Sequence, residues 1–124
     1  MQVRLTDREL DIMTVLWDRG SGTVSEVRAA LADPLAYTTV LTVLQTLEDK
    51  GFVRHDCEGK AHRYLPRVAR EAAERSAVRR LVTSLFGGSP EQLMTHLVSE
   101  QPLRPAELKR LRKLLDDRLK RGAS

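Results

Sequence analysis

Residues 36–50 read AYTTVLTVLQTLEDK, and their apolar side chains recur with the period of an α-helix. At about 100° per residue, Val40, Leu44 and Leu47 fall on one face, with Tyr37 and Leu41 beside them. We expect this face to be buried. The opposite side is lined by small polar residues, with Thr39 at its edge: Thr38, Thr39, Thr42, Gln45 and Thr46. The pattern predicts an amphipathic helix whose open face carries hydroxyls and an amide, without bulky charge, over its first three turns.

The segments around this helix predict a small lobe of helices and a hairpin. Residues 6–9, Thr-Asp-Arg-Glu, have the form of a capping box and start a helix that stops near Gly20. Residues 23–26 start a second, shorter helix. Residues 52–57 and 61–65 are predicted to be strands joined by a tight turn at residues 58–60. This order of elements is typical of a winged helix-turn-helix.

Residues 67–124 are predicted to be helical, with breaks at Gly87-Gly88 and at residues 101–105. Helices of this size would leave a wide apolar face uncovered if they stood alone, so we expect a homodimer built on this half. The aliphatic residues expected at the dimer contact are Leu81, Leu85, Leu93, Leu97, Val98, Leu108, Leu111 and Leu115. The alternative is that these side chains pack back on the first lobe.

The predicted fold class is therefore mostly α. A winged helix-turn-helix domain with a small β-hairpin wing occupies residues 1–66, and a helical dimerisation domain occupies residues 67–124. The first part carries a net charge of −2 and the second a net charge of +6, so the total of +4 does not show where a polyanion would bind. The window 50–70 has a local net charge of +4, which favours the hairpin as the place where a polyanion would bind.

The polar face of the third helix suits the major groove of DNA. Threonine can hydrogen-bond a base edge and offers its methyl group to thymine, while glutamine can pair with adenine. An isolated threonine would more often be a helix cap or solvated surface. Five small polar residues on one face, followed by a basic hairpin, favour base reading instead.

The basic residues near the hairpin are candidates for contacts with DNA phosphates, which fix register without specifying sequence. They are Lys50, Arg54, Lys60, His62 and Arg63. Asp56 and Glu58 lie in the same hairpin, and their negative charge weakens the case for phosphate contacts by the wing as a whole. Lys60 and Arg63 are therefore the strongest candidates.

Several classes of protein are disfavoured by the sequence. The chain has no glycine-rich phosphate loop, no HExxH motif and no serine in a nucleophile elbow. We therefore expect that the protein is not an enzyme and binds no cofactor. It begins without a signal-like apolar run and has no stretch able to span a bilayer. A single cysteine cannot form an internal disulfide. We therefore expect a cytoplasmic protein without membrane insertion.

The hairpin also raises a metal hypothesis, because His55, Cys57 and His62 carry imidazole and thiolate ligands. A three-residue turn would put His62 on the opposite face from the other two. A two-residue turn would pair Cys57 with His62, and we expect it to leave only two ligands close together. The sequence therefore predicts no metal site, and a redox role for Cys57 has no further support.

Four segments resemble the BlaI/MecI/CopY penicillinase-repressor family: LTDRELDIMTVLW at 5–17, AYTTVLTVL at 36–44, KGFV at 50–53 and AHRY at 61–64. The resemblance implies a dimeric winged-helix repressor that binds an inverted repeat built on TACA/TGTA. It also implies a membrane-bound metallopeptidase sensor as a possible partner. Family members read the repeat with the third helix, which corresponds here to Thr38, Thr39, Thr42 and Thr46.

Two further properties of the family map less well onto this chain. Copper-responsive members carry paired cysteines near the C-terminus, and Cys57 alone cannot supply them. Members that respond to beta-lactams are inactivated by cleavage between an asparagine and a phenylalanine. The matching bond here joins His96 and Leu97, whose residue types differ from that pattern.

The function that the sequence predicts is a sequence-specific DNA-binding transcriptional repressor, which binds an inverted-repeat operator as a homodimer. Two alternatives stay open at this point. One is a winged-helix protein-interaction module, since the first part of the chain has a net charge of −2. The other is a metal- or redox-responsive regulator that uses His55, Cys57 and His62.

Overall fold

Helix α1 (Asp7–Arg19) begins where the capping box predicts, in a computed structural model that describes residues 2–122. The Glu9 N–H donates to Thr6 Oγ1 at 3.2 Å, and the Thr6 N–H donates to Glu9 Oε1 at 2.8 Å. These two bonds satisfy amides that the first turn of a helix leaves free. Gly20 ends the helix with φ 89°, a conformation that a side chain would disfavour.

Helices α2 (Val24–Ala30) and α3 (Tyr37–Asp49) follow as predicted. A second capping box, between Thr23 and Glu26, starts α2. The buried face of α3 consists of Val40, Leu44 and Leu47, as its periodicity predicts. Tyr37 was expected beside that face, but its side chain is 46% exposed at the first turn, where the core does not extend.

The sheet has three antiparallel strands in the order β1 (Gly22–Thr23), β3 (Ala61–Pro66), β2 (Val53–Glu58). Strand β1 was not predicted, because two residues are too short to show a pattern. The hairpin turn consists of Gly59 and Lys60, with Gly59 at φ 60°. The three-residue turn considered from the sequence is therefore wrong. Cys57 pairs with His62, and His55 pairs with Tyr64.

The hydrophobic core fixes how α3 is turned. Thirteen buried residues from α1, α2, α3, the sheet and the chain on either side form one cluster. Its largest fully buried side chains include Ile12, Met13, Leu16, Leu44 and Tyr64. Because the apolar side of α3 enters this cluster, its threonine side is directed to solvent.

Three helices make up the rest of the described chain: α4 (Arg70–Ser84), α5 (Pro90–Glu100) and α6 (Pro105–Gly122). The chain divides between Leu81 and Val82 into two compact units, which we call the first and the second unit. None of the helices described between residues 2 and 122 has the length and apolarity needed to cross a membrane.

The first unit thus extends beyond the hairpin. The Trp17 Nε1–H donates to the Val68 carbonyl at 2.9 Å, and the Val3 N–H donates to the buried Ser76 hydroxyl at 3.1 Å. These bonds attach residues 67–81 to the first unit, although the sequence assigned them to the dimerisation half. The functional division of the chain into residues 1–66 and 67–124 stays a prediction.

Candidate nucleic-acid interface

The threonine face of α3 is open. Thr38, Thr42, Gln45 and Thr46 are exposed, and Thr39 at the edge is half-buried. Spacings of three and four residues put these side chains on adjacent turns of one helix. The structure therefore brings together the five residues that the sequence singled out for base reading. Whether they read bases stays a prediction.

Two of these threonines already use their hydroxyl protons. Thr42 Oγ1 donates to the Thr38 carbonyl at 2.9 Å, and Thr46 Oγ1 donates to the Thr42 carbonyl at 3.0 Å. Each hydroxyl oxygen keeps lone pairs, so it can accept a bond from adenine N6 or cytosine N4. The methyl groups remain available for contact with thymine. In this conformation the face offers acceptors and apolar contact, with donors supplied by Gln45 and Thr38.

Lys50, a candidate phosphate contact, is bound within the protein. Its Nζ lies 2.7 Å and 3.0 Å from the two carboxylate oxygens of Glu9, whose side chain is 5% exposed. Burial raises the pKa of Glu9, but the bonds from Lys50 and Thr6 outweigh it and hold the pKa below its ordinary value. Lys50 therefore joins the end of α3 to the start of α1. The sequence did not reveal this pair.

Arg63 is likewise engaged by carboxylates. Its Nη1 lies 2.9 Å from Glu26 Oε1, and its Nε lies 2.7 Å from Glu58 Oε2. The pKa of Glu26 is lowered by the Thr23 amide and by Arg63, and the pKa of Arg63 is raised by both carboxylates. The guanidinium thus ties the wing to α2, which reduces its availability for phosphate.

The remaining candidates lie on the wing. Arg54 is exposed and pairs with Asp56 at 2.8 Å. His62 is exposed on β3. Lys60 is exposed at the turn, where it has no ion-pair or hydrogen-bond partner within residues 2–122. Lys60 is therefore the wing cation best placed to meet a phosphate.

The expectation that the hairpin cannot gather three metal ligands is wrong. One ligand atom from each of His55, Cys57 and His62 lies within 4.8 Å of the others. The two-residue turn sets Cys57 opposite His62, and His55 lies two residues before Cys57 on the same face. The diagonal neighbour across the strands thus completes a trio that the sequence argument limited to two.

The second unit exposes much of its apolar surface. No residue of α5 or α6 is buried within the described chain. Among the predicted dimer contacts in this unit, Leu93 and Leu111 are half-buried, and the other five are exposed: Leu85, Leu97, Val98, Leu108 and Leu115. The remaining predicted contact, Leu81, is also exposed and is the last residue of the first unit. The dimer contact itself stays a prediction.

The bond between His96 and Leu97 lies inside α5. His96 is 3.6 Å from Glu100 and its ring lies 5.5 Å from the ring of Phe86. A protease would have to unwind this turn to reach the bond. Cleavage here stays a prediction.

Comparison with known sequences adds to this geometry. A sequence profile of the penicillinase repressor matches residues 5–117. The transcriptional regulator BlaI of Mycobacterium tuberculosis is 39% identical over 99 residues, which cover 77% of this chain and 72% of that protein. The penicillinase repressor of Bacillus licheniformis is 22% identical over 116 residues, covering 92% and 91% of the two chains.

Two solved structures of BlaI also match part of this chain. The solution structure of the DNA-binding domain of the repressor BlaI has a TM-score of 0.52 at 28% identity, over 58% of this chain and 90% of that one. The monomeric form of Bacillus licheniformis BlaI in complex with the blaP half-operator has a TM-score of 0.50, with the same identity and coverage. The first unit has the winged-helix fold of these DNA-binding domains.

Proposed function

Because the chain belongs to the penicillinase repressor family, we propose that it represses transcription by binding an inverted-repeat operator as a homodimer. A DNA-binding transcriptional repressor is the function that the family and the winged-helix fold support. The observation that carries the proposal is the exposed threonine and glutamine face of α3, held outward by the buried side of the same helix.

This face is suited to reading bases in the major groove. An α-helix fits that groove, and short side chains let its backbone approach the base edges closely. Hydrogen-bond acceptors, donors and methyl groups are supplied by Thr38, Thr42, Gln45 and Thr46. None of these side chains is charged, so none would bind DNA phosphates regardless of base sequence. Tyr37, exposed at the first turn, is a further candidate contact that the sequence had assigned beside the core.

The wing would provide the second contact. Lys60 extends from the turn without an internal partner among the described residues, so binding a phosphate would break no ion pair of the free protein. Arg63 and Lys50 would first have to leave Glu26, Glu58 and Glu9. We infer that Lys60 is the main phosphate contact of the hairpin.

The apolar surface of the second unit supports the homodimer. Of the twelve large apolar side chains that are exposed within residues 2–122, eight lie in the second unit, between Leu85 and Leu119. Apolar surface concentrated in this way is typical of a protein interface. A second copy of this chain presents the same surface and would cover it symmetrically. The half-operator in the B. licheniformis complex, bound by a monomeric form, is consistent with one half-site per chain.

Two α3 helices related by a two-fold axis would enter successive major grooves, about 34–36 Å apart. An inverted repeat built on TACA/TGTA is the operator that the family resemblance implies. Repression would follow where the occupied site overlaps a promoter. A membrane-bound metallopeptidase as the sensor, with release through the second unit, belongs to the same proposal.

Fluorescence anisotropy with two labelled duplexes tests the DNA contact. One duplex carries a TACA/TGTA inverted repeat and the other a scrambled sequence of equal length. The repeat should bind more tightly in excess competitor DNA, and log affinity should fall linearly with log salt as counterions are released. Equal affinity for both duplexes, or a flat salt response, would contradict the proposal and favour a protein-interaction module.

Analytical ultracentrifugation tests the dimer on the full chain. Sedimentation over a range of concentrations should show a monomer–dimer equilibrium or a stable dimer. A monomer at every concentration, with operator binding intact, would remove the homodimer from the proposal.

A further inference from the structure

The inner face of the hairpin gathers two imidazoles and a thiol beside the end of α3. His55 and Cys57 lie on β2, His62 lies on β3, and one ligand atom from each lies within 4.8 Å of the others. The face that they share continues outward from Val53 and Tyr64, which are buried in the core. Cys57 and His62 are exposed and His55 is half-buried, so the trio is open to solvent.

Glu48, on the last turn of α3, orients one of the imidazoles. Its carboxylate oxygens lie 2.6 Å and 2.9 Å from His55 Nδ1. In the neutral ring, a carboxylate at this distance favours the tautomer with the proton on Nδ1, in which the lone pair of Nε2 is available. The same arrangement, a carboxylate bound to the far nitrogen of the ring, supports histidines that ligate metals.

The rings of His55 and His62 are stacked, with centroids 4.2 Å apart and planes 13° from parallel. Stacking alone would explain why the two rings are in contact. It would not explain why the thiol of Cys57 and the carboxylate of Glu48 lie beside them. Around a tetrahedral metal ion, the ligand atoms would be about 3.4–3.6 Å apart. The present separations are at most 4.8 Å, and rotations that move the exposed Cys57 and His62 side chains by about 1 Å toward His55 would reach this spacing.

We propose that the wing holds a transition-metal cation, with His55, Cys57 and His62 as its ligands and Glu48 as the residue that positions His55. Two imidazole nitrogens and one thiolate suit a cation of borderline softness, represented by Zn²⁺. Three ligands from the chain leave a fourth position for water. Binding releases the thiol proton of Cys57 to solvent, so affinity falls as the pH is lowered.

All three ligands lie on the hairpin, and the site is linked to α3 through the bond between His55 and Glu48, which lies on the helix that carries the threonine face. His62 would then be a metal ligand and not a phosphate contact. The site itself requires no DNA, so it can be tested on the free protein. Failure of the metal site would leave the proposed repressor function untouched, and failure of DNA binding would leave the metal site untouched.

Cobalt and zinc titrations of the reduced, metal-free full-length protein test the site. Co²⁺ should bind with one equivalent per chain and give the ligand-field bands of a tetrahedral site, together with a thiolate-to-cobalt charge-transfer band. Because Cys57 is the only cysteine in the chain, that band can come from no other residue. Zn²⁺ should displace Co²⁺, and competition with a chromophoric chelator gives its affinity.

Substitutions then identify the ligands. C57S should abolish the charge-transfer band, and C57S, H55N and H62N should each weaken Zn²⁺ binding at least about tenfold. E48Q should keep the band but weaken binding about 10–100-fold, as expected of a residue outside the ligand shell. H96N is the matched control, because His96 is the chain's third histidine and lies in α5; it should bind Zn²⁺ like the unmodified protein.

Several results would overturn the proposal. These are Co²⁺ binding without a charge-transfer band, Zn²⁺ affinity unchanged in C57S or H62N, or a stoichiometry of one cation per two chains. Zn²⁺ affinity unchanged in E48Q would remove Glu48 from the site. Because Cys57 and His62 are exposed, their variants should keep the circular dichroism spectrum and urea midpoint of the parent protein, so that loss of binding cannot be assigned to unfolding.

Discussion

The ion pair between Lys50 and Glu9 offers a direct test of how the first unit is held together. Substitution of Lys50 by methionine keeps most of the aliphatic stem and removes the ammonium. Glu9 would keep its bond from the Thr6 N–H but would lose contacts of 2.7 Å and 3.0 Å. The carboxylate, with a side chain 5% exposed, would then be left without a counter-ion.

The expected cost follows from the burial of the two partners. Breaking a fully buried pair costs about 3–5 kcal/mol, and a hydrogen bond to a charged group contributes about 1.5–3 kcal/mol. The Lys50 side chain is 40% exposed, so water can partly replace it beside Glu9. We therefore expect K50M to lower the free energy of unfolding by about 2 kcal/mol at neutral pH.

The loss should depend on pH in a defined direction. The pKa of Glu9 in the folded protein is below its ordinary value of 4.5, so the pair stabilises the fold above that value. This contribution disappears as the pH falls through the folded pKa and the carboxylate becomes protonated. The difference between K50M and the parent protein should therefore shrink below about pH 4.5.

Urea unfolding followed by circular dichroism measures the difference, at one fixed protein concentration because association also stabilises the fold. R54M is the matched control, since it removes a cation from the exposed pair with Asp56, and should cost less than about 0.5 kcal/mol. Equal stability of K50M and R54M at pH 7 would refute the reasoning. So would a K50M difference that stays constant from neutral pH to pH 3.

Three further predictions concern the proposed function. T42A should weaken binding by about 1–3 kcal/mol on the inverted repeat and by little on scrambled DNA, because it removes a base contact. In the same anisotropy titration T95A should change neither affinity, since Thr95 makes the same bond to a backbone carbonyl but lies in α5. Equal losses on both duplexes would exclude base reading by Thr42. K60A should weaken binding to both duplexes and reduce the salt slope by about one unit, and an unchanged slope would remove Lys60 from the phosphate contacts. L115E should shift sedimentation toward monomer, because it puts a charge on the exposed face of α6. L10E, at a leucine of similar exposure in α1, should leave sedimentation unchanged. A dimer unaffected by L115E would place the contact elsewhere.

Much of the first unit could be predicted from local patterns. The two capping boxes, the glycine that ends α1 and the period of α3 depend on residues within a few positions of one another. The exposed face of α3 was predictable for the same reason, because burying one side of an amphipathic helix turns the other side outward. The confirmed family and fold follow from these segments.

The charged groups near the interface could not be assigned in the same way. Lys50 and Arg63 look like free cations in the sequence, yet they bind Glu9 and Glu26, which lie 41 and 37 residues away. No periodicity links residues at such separations, and only the packing of α1, α2 and the wing brings them within reach. Sequence reasoning therefore overstated the positive charge available to DNA.

The sequence by itself determined where the helices begin and end and which side of α3 is apolar, because those properties are set by neighbouring residues along one element. The tertiary structure decided which cations remain unpaired and how the hairpin is registered. One residue more or less in the turn moves His62 to the other face of the hairpin, since side chains alternate along a strand. The two-residue turn at Gly59 and Lys60 therefore decided that His55, Cys57 and His62 meet.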